Sequence, residues 1–235
     1  RALANLGSVY YDRYMGEEAV DVLTESVDIF RRRLGEENTE TGWALGSLGS
    51  GLTLLDRDEE ADSVFRASLA IYRATLGEDH PRTGSAYNRL GRHLFNQGRV
   101  ADSEPYAERA LEIWRAALPA DHPAVGEALS LVGGIRAERG DCSDAEPFLR
   151  EAYDLRRAGL PEDHPDVAEA ASLLGACLGR IGRLDEAENL LSIGYTGLHA
   201  ANGPDHETTQ EARLRYAEFC RNHTCTDAQD VMNAQ

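Results

Sequence analysis

The feature that most constrains the fold of this chain is a sequence repeat of 42 residues. A loop motif begins at Leu34, Leu76, Leu118, Leu160 and Asn202, and three of its five copies end in Asp-His-Pro. Small residues recur in the same phase at Gly7, Gly49, Gly91, Gly133 and Gly175, with Ala217 closing the series. Self-similarity at a fixed period indicates a stack of like units that share one continuous core. The sequence therefore predicts a single array over 1–235, with repeats at 1–38, 39–80, 81–122, 123–164, 165–206 and 207–235. The first repeat is incomplete at its start and the last at its end.

Each unit has the pattern of two amphipathic helices. Residues 83–96 place apolar side chains on one stripe, the Asn96-Gln97-Gly98 turn interrupts it, and 101–117 resumes it. We expect Gly91 to face the second helix of its own unit, where a larger side chain would push the two helices apart. Leu90, Leu94 and Trp114 would then fill the space between neighbouring pairs. The sequence therefore predicts an all-α fold.

These residues resemble the tetratricopeptide repeat (TPR) family over essentially the whole chain. The family's Leu-Gly followed by a large residue appears as Leu6-Gly7…Tyr10, Leu48-Gly49…Leu52 and Leu90-Gly91…Leu94, and its second-helix Ala and aromatic residue appear as Ala61 and Phe65. The period of 42 and the Asp-His-Pro loop are similar to the kinesin-light-chain-like branch. The resemblance implies a right-handed superhelical solenoid of antiparallel helix pairs. Asn38-Thr39 in place of His-Pro, and Asp56 in place of a turn glycine, are expected to weaken local capping but not the fold.

The charge of the chain excludes several partners. All 24 basic residues are Arg, and 41 acidic residues bring the formal net charge to −17. An acidic field repels phosphate backbones and anionic membrane surfaces, so we expect neither a nucleic-acid nor a membrane partner. The absence of lysine excludes Schiff-base chemistry and a Walker-type phosphate loop. Four cysteines without a dense framework favour a reducing, cytoplasmic environment.

Histidine and cysteine raise the question of a metal site. His80, His122, His164 and His206 recur 42 residues apart, which places them on successive units and too far apart to share one ion. We predict that they cap helix starts. Cys220, His223 and Cys225 could form part of a zinc site or a Cys220–Cys225 disulfide, but a fraying last helix is the simpler interpretation. No cofactor and no metal are expected.

No catalytic motif is found in the sequence. A nucleophile elbow, a His-Glu-x-x-His helix and a glycine-rich phosphate loop do not occur, and the glycines of 46–51 lie in phase on a helix. The chain is therefore predicted not to be an enzyme and to have no catalytic residues.

The resemblance places ligands along the groove lined by the first helix of each repeat. The groove positions in this sequence are Asn5, Ser8, Trp43, Ser47, Ser50, Asn88, Arg89, Arg92, Asn96, Ser130, Glu138, Ser172 and Arg180. The same phase adds Asp12, Gly46, Ser85, Glu127, Gly134, Glu169, Ala176, Glu211, Arg215 and Glu218. Small residues let a peptide backbone approach, and Arg89 with Arg92 can hold a carboxylate or phosphate. The groove is expected to be basic in the middle and acidic towards the C-terminus.

Three functions are compatible with these features. We expect a non-catalytic scaffold that binds a peptide or a partner protein surface in the concave groove. The first alternative is a regulatory or sensory TPR arm of a larger protein, such as a kinase or NTPase, with mainly intramolecular contacts. The second is weak self-association through the terminal helices.

Overall fold

A computed structural model describes residues 5–7, 9, 10, 13 and 15–225, and within this part no β-strand occurs. The helices of 15–225 are α1 (Gly16–Leu34), α2 (Thr39–Thr53), α3 (Asp58–Leu76), α4 (Pro81–Asn96), α5 (Val100–Ala117), α6 (Pro123–Glu138), α7 (Cys142–Gly159), α8 (Pro165–Arg180), α9 (Leu184–Asn202) and α10 (Glu207–Asn222). None of these helices is both long and apolar enough to cross a membrane. The all-α fold predicted from the repeat is confirmed.

The chain forms two compact units, Arg1–Pro119 and Ala120–Gln235. In the first unit α2 pairs with α3 and α4 with α5, while α1 packs on α2 and α3 packs on α4. In the second unit α6 pairs with α7 and α8 with α9, while α7 packs on α8 and α10 packs on both α8 and α9. Among the described residues, the helix pairs predicted for the second to the fifth repeat are therefore present.

The recurring histidines cap the helices that follow them. Nδ1 of His80 accepts a hydrogen bond from the backbone N–H of Arg82 at 3.1 Å. His122, His164 and His206 each accept the equivalent bond from the N–H of the residue two positions later. The side chain of Asn38 makes the equivalent bond to the N–H of Glu40 at 2.9 Å. Each contact satisfies one of the unpaired donors at a helix start. The predicted capping role is confirmed, and Asn38 performs it in place of histidine.

The turns inside the helix pairs share one backbone conformation. Gly98, Gly140 and Gly182 have φ values of 71°, 87° and 84°, and Asp56 takes the same place with φ 54°. The next residue's N–H bonds back to the preceding helix, as in Arg99 N–H to the Leu94 carbonyl at 2.9 Å. This is the hydrogen-bond pattern of a Schellman motif, in which glycine is favoured because it has no Cβ.

Small residues set the distance between paired helices. A Cβ built on Gly91 would lie 3.1 Å from the backbone nitrogen of Ala107 and 3.4 Å from the carbonyl oxygen of Ser103. Leu90 and Leu94 beside it are fully buried. The predicted close approach of Gly91 to its partner helix is confirmed.

One histidine is buried in the core of the first unit. His93 on α4 is 3% exposed, its ring centroid lies 5.2 Å from that of Phe65, and its Nδ1 is 3.5 Å from Thr53 Oγ1. Burial lowers the pKa of His93, and the nearby carboxylates of Asp58 and Asp62 oppose the shift. Burial between the helices therefore disfavours the protonated form of the imidazole.

Candidate functional site

A candidate binding site is a cleft of about 520 Å³ in the first unit. Its walls are α2 and α4, and α3 contributes to its floor. The lining residues are Asn5, Glu40, Gly42, Trp43, Gly46, Ser68, Tyr72, Arg82, Ser85, Ala86 and Arg89. First helices of two consecutive repeats therefore form the walls of this cleft.

Two glycines on α2 give the cleft its shape. A Cβ on Gly46 would lie 3.2 Å from Ser68 Oγ and 3.3 Å from a terminal nitrogen of Arg89, so the arginine crosses α2 where a side chain is missing. A Cβ on Gly42 would lie 3.1 Å from a methyl carbon of Ile71. Ser68 Oγ donates to the Gly42 carbonyl at 2.6 Å, which ties α3 to α2 beneath the cleft. The cleft thus depends on the missing side chains of α2.

The cleft is locally basic in a chain that is acidic overall. Arg82 and Arg89 line it from α4, opposite Glu40 on α2. Burial raises the pKa of Tyr72, while the positive charges of Arg89 and Arg82 oppose this shift, so both guanidinium groups act on the cleft floor. Trp43, half-buried, adds an aromatic surface. Two guanidiniums beside aromatic rings suit a ligand that carries a carboxylate and an apolar group.

A second, smaller cleft of about 160 Å³ lies in the second unit between α8 and α10. Its lining residues are Ala176, Gly179, Arg180, Arg215, Glu218, Phe219, Asn222 and His223. Arg180 donates to the Ala137 carbonyl at 3.0 Å, and Arg215 pairs with Glu211 at 2.8 Å. Both guanidiniums are thus held in place at the cleft. Sequence reasoning expected this end of the groove to be acidic. Arg180, Arg215 and Glu218 line the cleft, and Arg215 is paired with a second carboxylate, that of Glu211.

The described part of the last repeat ends in a disulfide. Cys220 on α10 is bonded to Cys225, with Cα atoms 5.4 Å apart. Between them, the His223 ring stacks on Phe219 at 4.6 Å between centroids, and His223 Nδ1 donates to the Phe219 carbonyl at 3.0 Å. Of the interpretations that the sequence left open for these cysteines, the structure shows the disulfide. In the described residues, no group of three or more His, Cys, Asp or Glu could hold a metal ion.

The predicted groove residues lie in three kinds of place. Asn5, Trp43 and Arg89 line the larger cleft with Gly46 and Ser85, and Arg180 lines the smaller one with Ala176, Arg215 and Glu218. Ser47, Asn88 and Ser172 are buried, with exposed fractions of 7%, 4% and 0%. Arg92, Asn96 and Glu138 are exposed, and Ser50 and Ser130 are half-buried, all outside the lining of the two clefts. Ser8 and Asp12 lie outside the described residues.

Several lining residues were missed by sequence reasoning. Arg82, Ser68 and Tyr72 are the most informative, because two of them belong to α3, a second helix of its repeat. The groove hypothesis considered first helices alone. Ser68 and Tyr72 lie four residues apart on one face of α3, a spacing that could have indicated their shared surface.

Comparison with known proteins places the chain among repeat proteins. The family model for the tetratricopeptide repeat matches residues 1–74 and 82–158. A putative kinesin light chain with nearly identical TPR-like repeats from Podosopora anserina is 20% identical, covering 86% of this chain and 95% of that one at a TM-score of 0.69. BtubC (BKLC) from P. vanneervenii is 16% identical, covering 86% of this chain and 80% of that one at a TM-score of 0.71.

A third solved structure holds a peptide. The Rap conjugation gene regulator of the plasmid pLS20, in complex with the Phr* peptide, is 16% identical at a TM-score of 0.70. The match covers 97% of this chain but 59% of that chain, so the regulator extends well beyond the shared part. No curated protein matches the sequence significantly.

Proposed function

Because the chain belongs to the tetratricopeptide repeat family, we propose that it is a non-catalytic interaction module that binds an extended peptide in the cleft between α2 and α4. The observation that carries the proposal is the pair Arg82 and Arg89, which lines a cleft between two consecutive first helices, opposite the glycines of α2. The structurally similar regulator of plasmid pLS20 was solved in complex with a peptide, and this supports a peptide as the type of ligand for the present chain.

The chemistry of the cleft specifies an acidic side chain in that peptide. Arg82 and Arg89 offer planar donors that match a carboxylate, while Trp43 and Tyr72 offer apolar contact beside it. The net charge of −17 repels an acidic peptide at long range, but at physiological salt this field decays over about 8 Å. Inside the cleft the nearby arginines therefore dominate.

Selection of binding peptides from a random displayed library tests the proposal on the full chain. We expect the selected peptides to contain Asp or Glu near an apolar residue. Arg82→Ala and Arg89→Ala should each weaken their binding by roughly 10-fold or more, because each removes a charge-assisted hydrogen bond. Circular dichroism would verify that each variant keeps its helical content.

Arg92→Ala is the matched control. It removes the same type of side chain from the same helix, but Arg92 is exposed and does not line the cleft. If Arg92→Ala weakened binding as much as Arg89→Ala, the sequence-based pairing of Arg89 with Arg92 would be favoured over the cleft. If the selected peptides bound all three variants with the affinity that they have for the unaltered chain, the binding site would lie outside this cleft.

A further inference from the structure

Two free cysteines lie against each other in the core of the second unit. Cys142 is the first residue of α7, Cys177 lies in the last turn of α8, and their exposed fractions are 2% and 1%. The Cys177 thiol donates a hydrogen bond to the backbone carbonyl of Cys142 at 3.3 Å. Burial raises the pKa of the Cys177 thiol, and a hydrogen bond with the Cys142 side chain raises it further. The two thiols are therefore in contact.

The repeat itself produces this contact. Cys142 and Cys177 are 35 residues apart, and Asp58 and His93 have the same separation in the first unit. Burial lowers the pKa of His93, and the charge of Asp58 and a hydrogen bond with its backbone oppose this shift, so these two residues are also neighbours. In both units the first residue of a second helix thus meets the last turn of the next first helix. The 42-residue period brings the two cysteines together across two repeats.

The cysteine pair lies at the helix ends, where local opening needs the least free energy. α7 begins at Cys142, α8 ends three residues after Cys177, and the turns next to these ends contain Gly140 and Gly182. Opening of a helix end breaks fewer buried contacts than unfolding of the whole unit. Local opening therefore exposes both sulfur atoms to a small oxidant while most of α7 and α8 stays folded.

We propose that Cys142 and Cys177 are an oxidation site at which the chain forms a second disulfide, joining the fourth repeat to the fifth. This bond closes a loop that contains most of α7 and α8, and it therefore restricts the unfolded chain. The Cys220–Cys225 disulfide joins residues only five apart and links no two repeats. Oxidation of the buried pair therefore stabilises the packing of α7 on α8.

The oxidation is a thiol–disulfide exchange with a low-molecular-mass disulfide such as oxidised glutathione. The Cys142 thiolate attacks first, because the raised pKa of Cys177 disfavours its thiolate; a mixed disulfide forms and one molecule of the small thiol leaves. The Cys177 sulfur, as its proton leaves, then attacks the Cys142 sulfur, and the second small thiol is released. Each cysteine loses one proton and one electron, and the two released thiols carry both protons and both electrons.

Peptide mapping of the folded full chain tests the proposal. Trypsin cleaves after arginine and places the four cysteines on separate peptides, 140–150, 158–180, 216–221 and 222–235. The chain is incubated with oxidised glutathione in the absence of urea, and its remaining free thiols are then blocked in denaturant. We expect 140–150 and 158–180 to be recovered as one linked species. Without the oxidant they should be recovered as two separate, blocked peptides.

Urea unfolding measures the effect of the new bond. Cys220→Ser combined with Cys225→Ser leaves Cys142 and Cys177 as the remaining cysteines. Oxidation of this variant should lower its equilibrium constant for unfolding by about 30-fold or more, the typical effect of a disulfide that closes a loop of this length. The matched control adds Cys142→Ser to the same variant, and the oxidant should leave its unfolding curve unchanged. Peptide mapping of the unaltered chain decides the proposal even if these variants fail to fold.

Four results would overturn the proposal. The folded, oxidised chain could yield no linked species, or the link could appear only in denaturing urea, where any two cysteines can meet. Peptide 158–180 could instead be linked to 216–221, which would make Cys220 the partner of Cys177. An unfolding constant that oxidation does not lower would contradict the stabilising role of the bond.

Discussion

Replacing Gly194 by alanine should destabilise the second unit, although alanine is the better helix former. A Cβ on Gly194 of α9 would lie 2.6 Å from the Cβ, 2.7 Å from the backbone nitrogen and 2.8 Å from the Cα of Ser172 on α8. Carbon atoms in contact prefer about 3.5–4.0 Å, so the helices must separate by about 1 Å. Overpacking of this kind typically costs about 1–3 kcal/mol. Three neighbouring atoms of α8 leave no flexible side-chain end that could move away.

Gly126→Ala is the matched control for this prediction. Gly126 lies on α6 of the same unit, and a Cβ there would meet nothing within 4 Å. Both substitutions gain helix propensity, up to about 1 kcal/mol, and this gain largely cancels in a comparison of the two. The difference in unfolding free energy between the variants should therefore be close to the packing cost, about 1–3 kcal/mol.

Urea unfolding followed by far-ultraviolet circular dichroism measures this difference. We expect the Gly126→Ala midpoint to rise or stay unchanged and the Gly194→Ala midpoint to fall, with similar slopes for both. If both midpoints moved by the same amount in the same direction, close approach of α8 and α9 would not be the reason for glycine at 194. A changed slope for Gly194→Ala alone would show that the substitution alters the cooperativity of the unit rather than its packing.

Three further predictions concern turns, caps and pH. Asp56→Gly should stabilise the first unit by up to about 1 kcal/mol, because glycine takes a positive φ without a Cβ clash; a lower melting temperature would contradict this. His122→Ala should cost about 1 kcal/mol and His122→Asn should recover most of it, since Asn38 makes the same cap; equal melting of the two variants would show that the cap contributes nothing. Burial lowers the pKa of His93 from its ordinary 6.5, so below pH 6.5 the unfolded chain binds a proton that the folded chain does not. Stability should therefore fall as the pH decreases from 6.5 through the lower folded pKa, and His93→Phe should reduce this slope in pH-dependent urea unfolding; an unchanged slope would refute the assignment.

The repeating elements of the fold could be predicted from the sequence, because they follow from local interactions. A histidine at the same place in each loop accepts a hydrogen bond from the helix two residues on, and this contact needs no information from distant parts of the chain. The turn at Gly98 and the close approach at Gly91 are likewise set within one helix pair. A period of 42 residues therefore determined the order of helices, their approximate ends and their pairing.

The surface of the candidate site was decided by tertiary structure. Periodicity places Asn88, Arg89 and Arg92 on one helix. Only the tertiary structure shows that Asn88 is buried, that Arg89 lines the cleft and that Arg92 lies outside it. Positions three or four residues apart share a helix face, yet a rotation of about 100° per residue separates neighbours into buried and accessible positions. How far a neighbouring helix covers that face depends on side chains far away in sequence. For this reason the sequence alone determined the helices, whereas only the tertiary structure decided which of their residues are accessible to a ligand.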